Sequence, residues 1–260
     1  MTYIDTHCHL NFPPFHRDLE AVIANARSAG VTHLINVGTD LVTSRESVNL
    51  ASRYQHIFAT VGVHPHDAKT YLPSVAADLE RLAQEAKVVA IGEIGLDYFR
   101  NLSAKPQQIS AFRYQLKLAL AVRKPIVIHC RDAYQDVINL LDTDYLPHLG
   151  GRPPGVIHSF SSHPVYLQEF LKRGFFIGIN NMVTYPEREG LVASVQAVPL
   201  DRLLIETDAP YLPPQDRRGQ RNEPAWVVSA AEKIAELKSV TTEEVAQASR
   251  ANAIHLFGLR

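Results

Sequence analysis

Tyr3-Ile4-Asp5-Thr6-His7-Cys8-His9 is a short apolar run that ends in two imidazoles two residues apart. Side chains alternate along a strand, so His7 and His9 fall on one side and Cys8 on the other. Working outward, four more short apolar runs end the same way. Val88 to Ile91 leads to Glu93, Ile126 to Ile128 to His129, Val156-Ile157 to His158, and Leu203 to Glu206 on to Asp208. Parallel strands closed into a barrel bring their C-terminal ends to one mouth, where these six side chains would meet. The pattern predicts a metal-dependent hydrolase.

The rest of the chain repeats strand, turn and helix. Further strands are expected at Thr32 to Val37, Ile57 to Val63 and Phe175 to Ile179, making eight. Helices are expected at Asp18 to Ala29, Thr43 to Tyr54 (capped by Thr43 or Ser44), Ser74 to Ala86, Pro106 to Arg123, Asp132 to Leu141, Pro164 to Arg173, Arg188 to Val198, Ala225 to Leu237 and Thr242 to Phe257. Apolar strands alternating with helices mean a parallel sheet covered on both faces, and eight such units favour an α/β (β/α)8 TIM barrel. An open doubly wound sheet is the rival. It would not gather ligands from strands one, four, five, six and eight. No linker or repeat interrupts the chain, so residues 1–260 read as a single domain, with a monomer favoured.

The bulk composition narrows the function. The chain has 260 residues, 46% apolar and 20% charged, enough for a full core. Its formal net charge of −1 excludes a generally basic nucleic-acid coat, so any phosphate affinity must be local. No apolar run approaches the ~20 residues that span a bilayer. The opening MTYIDTHCHL lacks the basic and apolar regions of a secretory signal, and a cytoplasmic location is expected. Two cysteines, Cys8 and Cys130, make no disulfide framework; pointing away from the ligand side, they read as buried fillers.

His-x-His alone is equally readable as an incidental polar pair, but one ion can be held by both rings. Asp5 shares their parity and is placed to orient a ligand. Glu93 lies between Gly92 and Gly95, and its two oxygens can bridge ions ~3.5–4 Å apart. His129 and His158 offer two nitrogens to a second site beside Glu93. Glu206 and Asp208 share a face and divide into a ligand and a proton handler. Asp208 is assigned to the His7/His9 ion, and Glu206 is either a general base or an orienting group. Asp97 reads as a loop or helix-cap residue. His64 faces the same mouth, with His66 at the rim. Arg131, Arg221 and Asn222 are expected substrate contacts, since guanidinium matches phosphate oxygens in pairs. Arg217 and Arg218 are either phosphate contacts or a solvated loop. The segment Asp97-Tyr98-Phe99-Arg100 can stack a base or simply pack.

Seven motifs now stand in order: Asp5-Thr6-His7-Cys8-His9, Gly62-Val63-His64-Pro65, Gly92-Glu93-Ile94-Gly95-Leu96-Asp97, His129-Cys130-Arg131-Asp132-Ala133, His158-Ser159-Phe160, Glu206-Thr207-Asp208-Ala209-Pro210-Tyr211-Leu212 and Arg221-Asn222-Glu223-Pro224. Together they resemble the TatD family of metal-dependent deoxyribonucleases, from the first strand to the last helix. The resemblance implies a TIM barrel that cuts phosphodiesters in DNA, at single strands or strand ends. It implies a metal site of His7, His9, Glu93, His129, His158 and Asp208. Two divalent ions are expected, of Mg2+, Mn2+ or Zn2+. Histidine-rich ligation favours a transition ion, whereas the nuclease resemblance suggests Mg2+. Many related barrels bridge their metals with a carboxylated lysine on strand four. No lysine lies in Val88 to Asp97, which favours the TatD-like branch over lactonases and phosphotriesterases. The alternatives are hydrolysis of another ester or amide, such as an aminoacyl ester on tRNA, and a metal-stabilised binding protein without turnover.

Overall fold

A computed structural model describes residues 1–259. Eight strands occur: β1 Tyr3–Cys8, β2 Val31–Val37, β3 Ile57–Val61, β4 Val88–Asp97, β5 Ile126–Arg131, β6 Gly155–Ile157, β7 Phe176–Ile179 and β8 Leu203–Ile205. They form one sheet in sequence order, β1 to β8, in which β1 with β2, β3 with β4, β4 with β5, β5 with β6 and β7 with β8 pair parallel. The helices are α1 Leu19–Ser28, α2 Leu41–Arg53, α3 Pro73–Leu82, α4 Lys105–Val122, α5 Tyr134–Asp144, α6 Pro164–Lys172, α7 Glu189–Ala197, α8 Val227–Lys238 and α9 Thr242–Phe257. This is the (β/α)8 TIM-barrel class.

Contacts within the chain group it into two compact units. The first comprises Met1–Asn36, Ser159–Leu171 and Phe176 onward; the second comprises Val37–His158 and Lys172–Phe175. In the first, Ile4, Leu34, Ile35, Ile177 and Leu204 are fully buried beneath helices carrying Val22, Ala230, Ile234 and Val245. In the second, Ile57, Ile91, Ile94 and Ile128 fill the strand layer, with Leu79, Phe112, Leu116 and Val137 from the helices. Strands buried on both faces explain why these runs read as continuously apolar rather than alternating.

Two local readings change. α2 is capped by Asp40, whose carboxylate accepts from the Thr43 N–H at 2.7 Å. Thr43 is the reciprocating residue of the capping box, and Ser44 instead exchanges hydrogen bonds with the Gly62 backbone. β4 continues to Asp97, six residues past its expected end, so Glu93 stands inside the strand. Gly95 permits this. It has φ +141°, and a Cβ there would lie 1.9 Å from the His129 carbonyl oxygen of its paired strand.

Candidate metal centre

The first ligand group forms where β1 and the segment after β8 run side by side. The Asp208 N–H donates to the His7 carbonyl at 2.8 Å, and the His9 N–H to the Ala209 carbonyl at 2.8 Å. Asp5 fixes this join. One oxygen accepts from the N–H groups of His7 (3.2 Å) and Thr207 (2.9 Å), and the other accepts from the Thr207 hydroxyl at 2.6 Å. Asp5 thus grips backbone, not a ligand ring as expected; its burial pushes the carboxyl up to about 8. His7 Nε2 and His9 Nε2 are 3.2 Å apart, with Asp208 Oδ1 at 3.7 and 3.4 Å. Two nitrogens ~2.0–2.1 Å from one tetrahedral ion stand roughly 3.3 Å apart, so this spacing fits a shared ion. Asp208 itself has φ +60°, a left-handed turn that aspartate tolerates better than most residues.

The second group lies on β3, β4, β5 and the end of β6. Glu93, 4% exposed, turns Oε1 toward His129 Nδ1 (3.1 Å), His64 Nε2 (3.5 Å) and His158 Nε2 (3.7 Å). His129 is held from behind: its Nε2 lies 2.9 Å from Asp97 Oδ2, and His66 Nε2 reaches the same oxygen at 3.0 Å. Burial works against the Asp97 carboxylate, but bonds from His129, His66 and the Arg100 N–H hold it well below the usual range. Each ring nitrogen of His129 thus faces a carboxylate, and although burial works against the charged ring, the bonds to Asp97 and Glu93 raise its pKa. With a cation beside Glu93, Nδ1 would give up its proton and serve as the ligand atom, while Asp97 keeps the proton on Nε2. His64 differs. Its Nδ1 accepts from the His66 N–H at 3.1 Å, so Nε2 carries the hydrogen. Burial lowers its pKa to about 4, against the pull of Glu93, so the ring is neutral at pH 7.

Sequence reading missed three supports here. Asp97, expected to be a loop or cap residue, is a buried partner of two histidines. Gln108 and Gln115, seven apart on α4, clamp backbone beside the site. Gln108 bonds the N–H and C=O of Asp97, and Gln115 those of Val63, at 2.7–3.1 Å. The available signal was two amides on a helix face that otherwise buries Ala111, Phe112, Leu116 and Ala119. In the first unit, Asn36 similarly accepts from the Leu10 N–H at 2.6 Å and donates to Asn11.

The remaining expected residues divide. Glu206 is buried, and its Oε1 accepts from the Ser159 N–H at 2.7 Å. Gly178 leaves it room, since a Cβ there would sit 2.4 Å from Glu206 Oε2. Glu206 therefore steadies the turn after β6. Arg221 and Asn222, expected to contact substrate, are engaged within the fold. The Arg221 guanidinium pairs with both Asp18 oxygens (2.8 and 2.7 Å), bonds the Pro14 carbonyl and lies over the Phe15 ring. Asn222 is fully buried; its Nδ2 is shared among the carbonyls of Thr207, Tyr211 and Leu212. Both hold the loop after β8. Arg217 and Arg218 lie over Trp226 and Tyr185. Arg131 ends β5 exposed, stacked on Phe99. Cys8 is buried as expected, Cys130 only half-buried; both are free thiols raised by burial.

Residues 4–258 match the family model described as TatD related DNase. The chain belongs to the TatD-related DNase family. It is 40% identical over 253 residues to the Bacillus subtilis (strain 168) metal-dependent hydrolase YabD, covering 97% of this chain and 98% of that one. It is 41% identical over 249 residues to the Cronobacter sakazakii protein named 3'-5' ssDNA/RNA exonuclease TatD, covering 94% and 93%. The crystal structure of YjjV, a TatD homologue from Escherichia coli K12, superposes with a TM-score of 0.92 at 34% identity, covering 99% and 98%. The chain is thus a metal-dependent hydrolase, a nuclease of the TatD type. Two groups of imidazoles and carboxylates, His7/His9/Asp208 and His64/Glu93/His129, each place their ligand atoms within 4.8 Å of one another. No helix among the described residues is long and apolar enough to cross a membrane.

Proposed function

We propose that this chain hydrolyses phosphodiester bonds at the ends of single-stranded nucleic acid, DNA in the first place. The observation that carries the reading is the pair of ligand groups in a TatD-family chain, each with imidazole nitrogens and a carboxylate aimed at one point. His7, His9 and Asp208 would hold one divalent ion, and Glu93, His129 and His158 a second. Mg2+, Mn2+ and Zn2+ are the candidates. Bound there, such ions supply Lewis acidity to phosphoryl oxygen and acidify water. The residues do the rest. Asp208, the most exposed ligand carboxylate, takes the proton from the attacking water. His64, neutral with hydrogen on Nε2, donates to a phosphate oxygen, and Arg131 supplies fixed positive charge. Glu206 keeps the β6 turn in place.

We read the chain as acting as one domain, and as a monomer. Its two free thiols suit a reducing, cytoplasmic setting. The experiment strips the protein of metal and returns Mg2+, Mn2+ or Zn2+ with end-labelled single-stranded DNA, single-stranded RNA, or a misacylated tRNA. Shortening of the DNA, lost in Glu93→Ala with the fold intact, is the expected result. No shortening with any metal, or release of the amino acid alone, would overturn it.

A further inference from the structure

Phe99 is 59% exposed, in the loop between β4 and α4, yet that loop is tightly fixed. The Tyr98 N–H donates to the Arg131 carbonyl at 2.9 Å, continuing the β4–β5 ladder in which Asp97 faces Arg131. The Arg100 N–H donates to Asp97 Oδ1 at 2.7 Å. The Tyr98 hydroxyl donates to Asp136 at 2.7 Å, and its ring lies under Lys105. Tyr98 is thus a buttress, whereas Phe99 points its ring outward with the Arg131 guanidinium 3.8 Å from its centroid. Arg131, like Arg218 over Tyr185, also differs from Arg217 and Arg221. Arg221 is paired with Asp18 and Arg217 neighbours Asp216, but no carboxylate lies within ion-pair range of Arg131 among the described residues.

An exposed aromatic on a rigid loop, stacked on an uncompensated guanidinium, is poorly explained by packing. Stacking by its plane leaves the N–H edge of the guanidinium free for phosphate oxygens. Arg131 follows His129 by two residues, roughly 7 Å along a strand rising ~3.3 Å per residue, a separation on the scale of one nucleotide. We propose that Phe99 and Arg131 form a stacking platform for the base of a nucleotide flanking the scissile phosphodiester. Arg131 holds that nucleotide's phosphate, and selection is for an unpaired base of any identity. The proposal rests on the nuclease reading.

The test compares full-length, metal-loaded wild type with Phe99→Ala on four probes. On single-stranded DNA, KM should rise roughly five- to hundredfold in Phe99→Ala. Cleavage of a fully abasic oligonucleotide, a diester with no ring to stack, should not change, which guards against a misfolded variant. One abasic position near the cleaved end should cost wild type a similar factor and cost Phe99→Ala nothing more. Stacking is read apart from cleavage with an oligonucleotide carrying 2-aminopurine at that position, quenched by wild type and not by Phe99→Ala. Wild type that quenches without cleaving would keep the platform and remove the nuclease reading. Equal KM and equal quenching in the two proteins, or an equal loss on the base-free diester, would overturn the platform. Wild type that neither cleaves nor quenches overturns both.

Discussion

A carboxylate behind a metal-ligand imidazole decides which ring nitrogen has a lone pair to give, and Asp97 has that position behind His129. Asp97→Asn keeps the shape but removes the charge that fixes the proton on Nε2. Metal affinity should fall about 10- to 100-fold with the secondary structure unchanged. Calorimetric titration with Mn2+ or Zn2+ measures it, and an unchanged Kd would show that Asp97 only packs. Gly95 acts through space alone. A methyl group there meets the His129 carbonyl at 1.9 Å on a backbone with φ +141°, and neither strand can yield without breaking their pairing. Gly95→Ala should cost about 3 kcal/mol, read as a lower urea midpoint at constant slope. A midpoint within error of wild type would mean that β4 and β5 separate more readily than their register implies.

At the scale of elements, the loop after β8 is tied to the start of α1 by Arg221 and Asp18, both well exposed. Screening limits such a pair to about 0–1 kcal/mol, even with bidentate geometry and the Phe15 contact. The Arg221 bonds hold the Asp18 carboxyl below its ordinary value. A depressed folded pKa stabilises above the unfolded value, ~3.9, and the contribution disappears as pH falls through the folded value. Arg221→Ala should therefore be less stable than wild type at pH 7, by up to about 1 kcal/mol, with the gap narrowing below about pH 4. The slope of nucleic-acid affinity against salt should stay as in wild type; a shallower slope in the variant would return Arg221 to the phosphate contacts. Arg221 illustrates what the sequence could not disclose. Its partner lies 203 residues earlier, and charge alone cannot tell a guanidinium aimed at substrate from one holding a loop. Asn222 was hidden for the same reason: its value lies in three backbone carbonyls whose positions exist only after folding. The grouping of His7 with His9, and of Glu93 with His129 and His158, was legible because strand parity and strand order depend on local pattern. The full length of the Glu93 strand was not legible because its apolar run ends at Ile91, whereas in the fold the glycines that follow make room for β5.

For the whole molecule, the assignment of ligands to two groups has a consequence in stoichiometry. His7, His9 and Asp208 come from the first compact unit, and Glu93, His129 and His158 from the second, so losing one group's histidine should spare the other ion. Wild type reconstituted after chelation should retain two equivalents of Mn2+ or Zn2+ by elemental analysis, His9→Ala one, and His129→Ala one. Glu93→Ala, which removes the carboxylate of the second group, should also retain one. Metal binds the folded chain and not the unfolded one, so saturation at a hundred times Kd should add about 2.7 kcal/mol per independent site. Chelation should lower Tm, and returning metal should restore it in two concentration ranges where the sites differ in affinity. A single equivalent in wild type, lost equally in His9→Ala and His129→Ala, would mean that the two groups serve one ion.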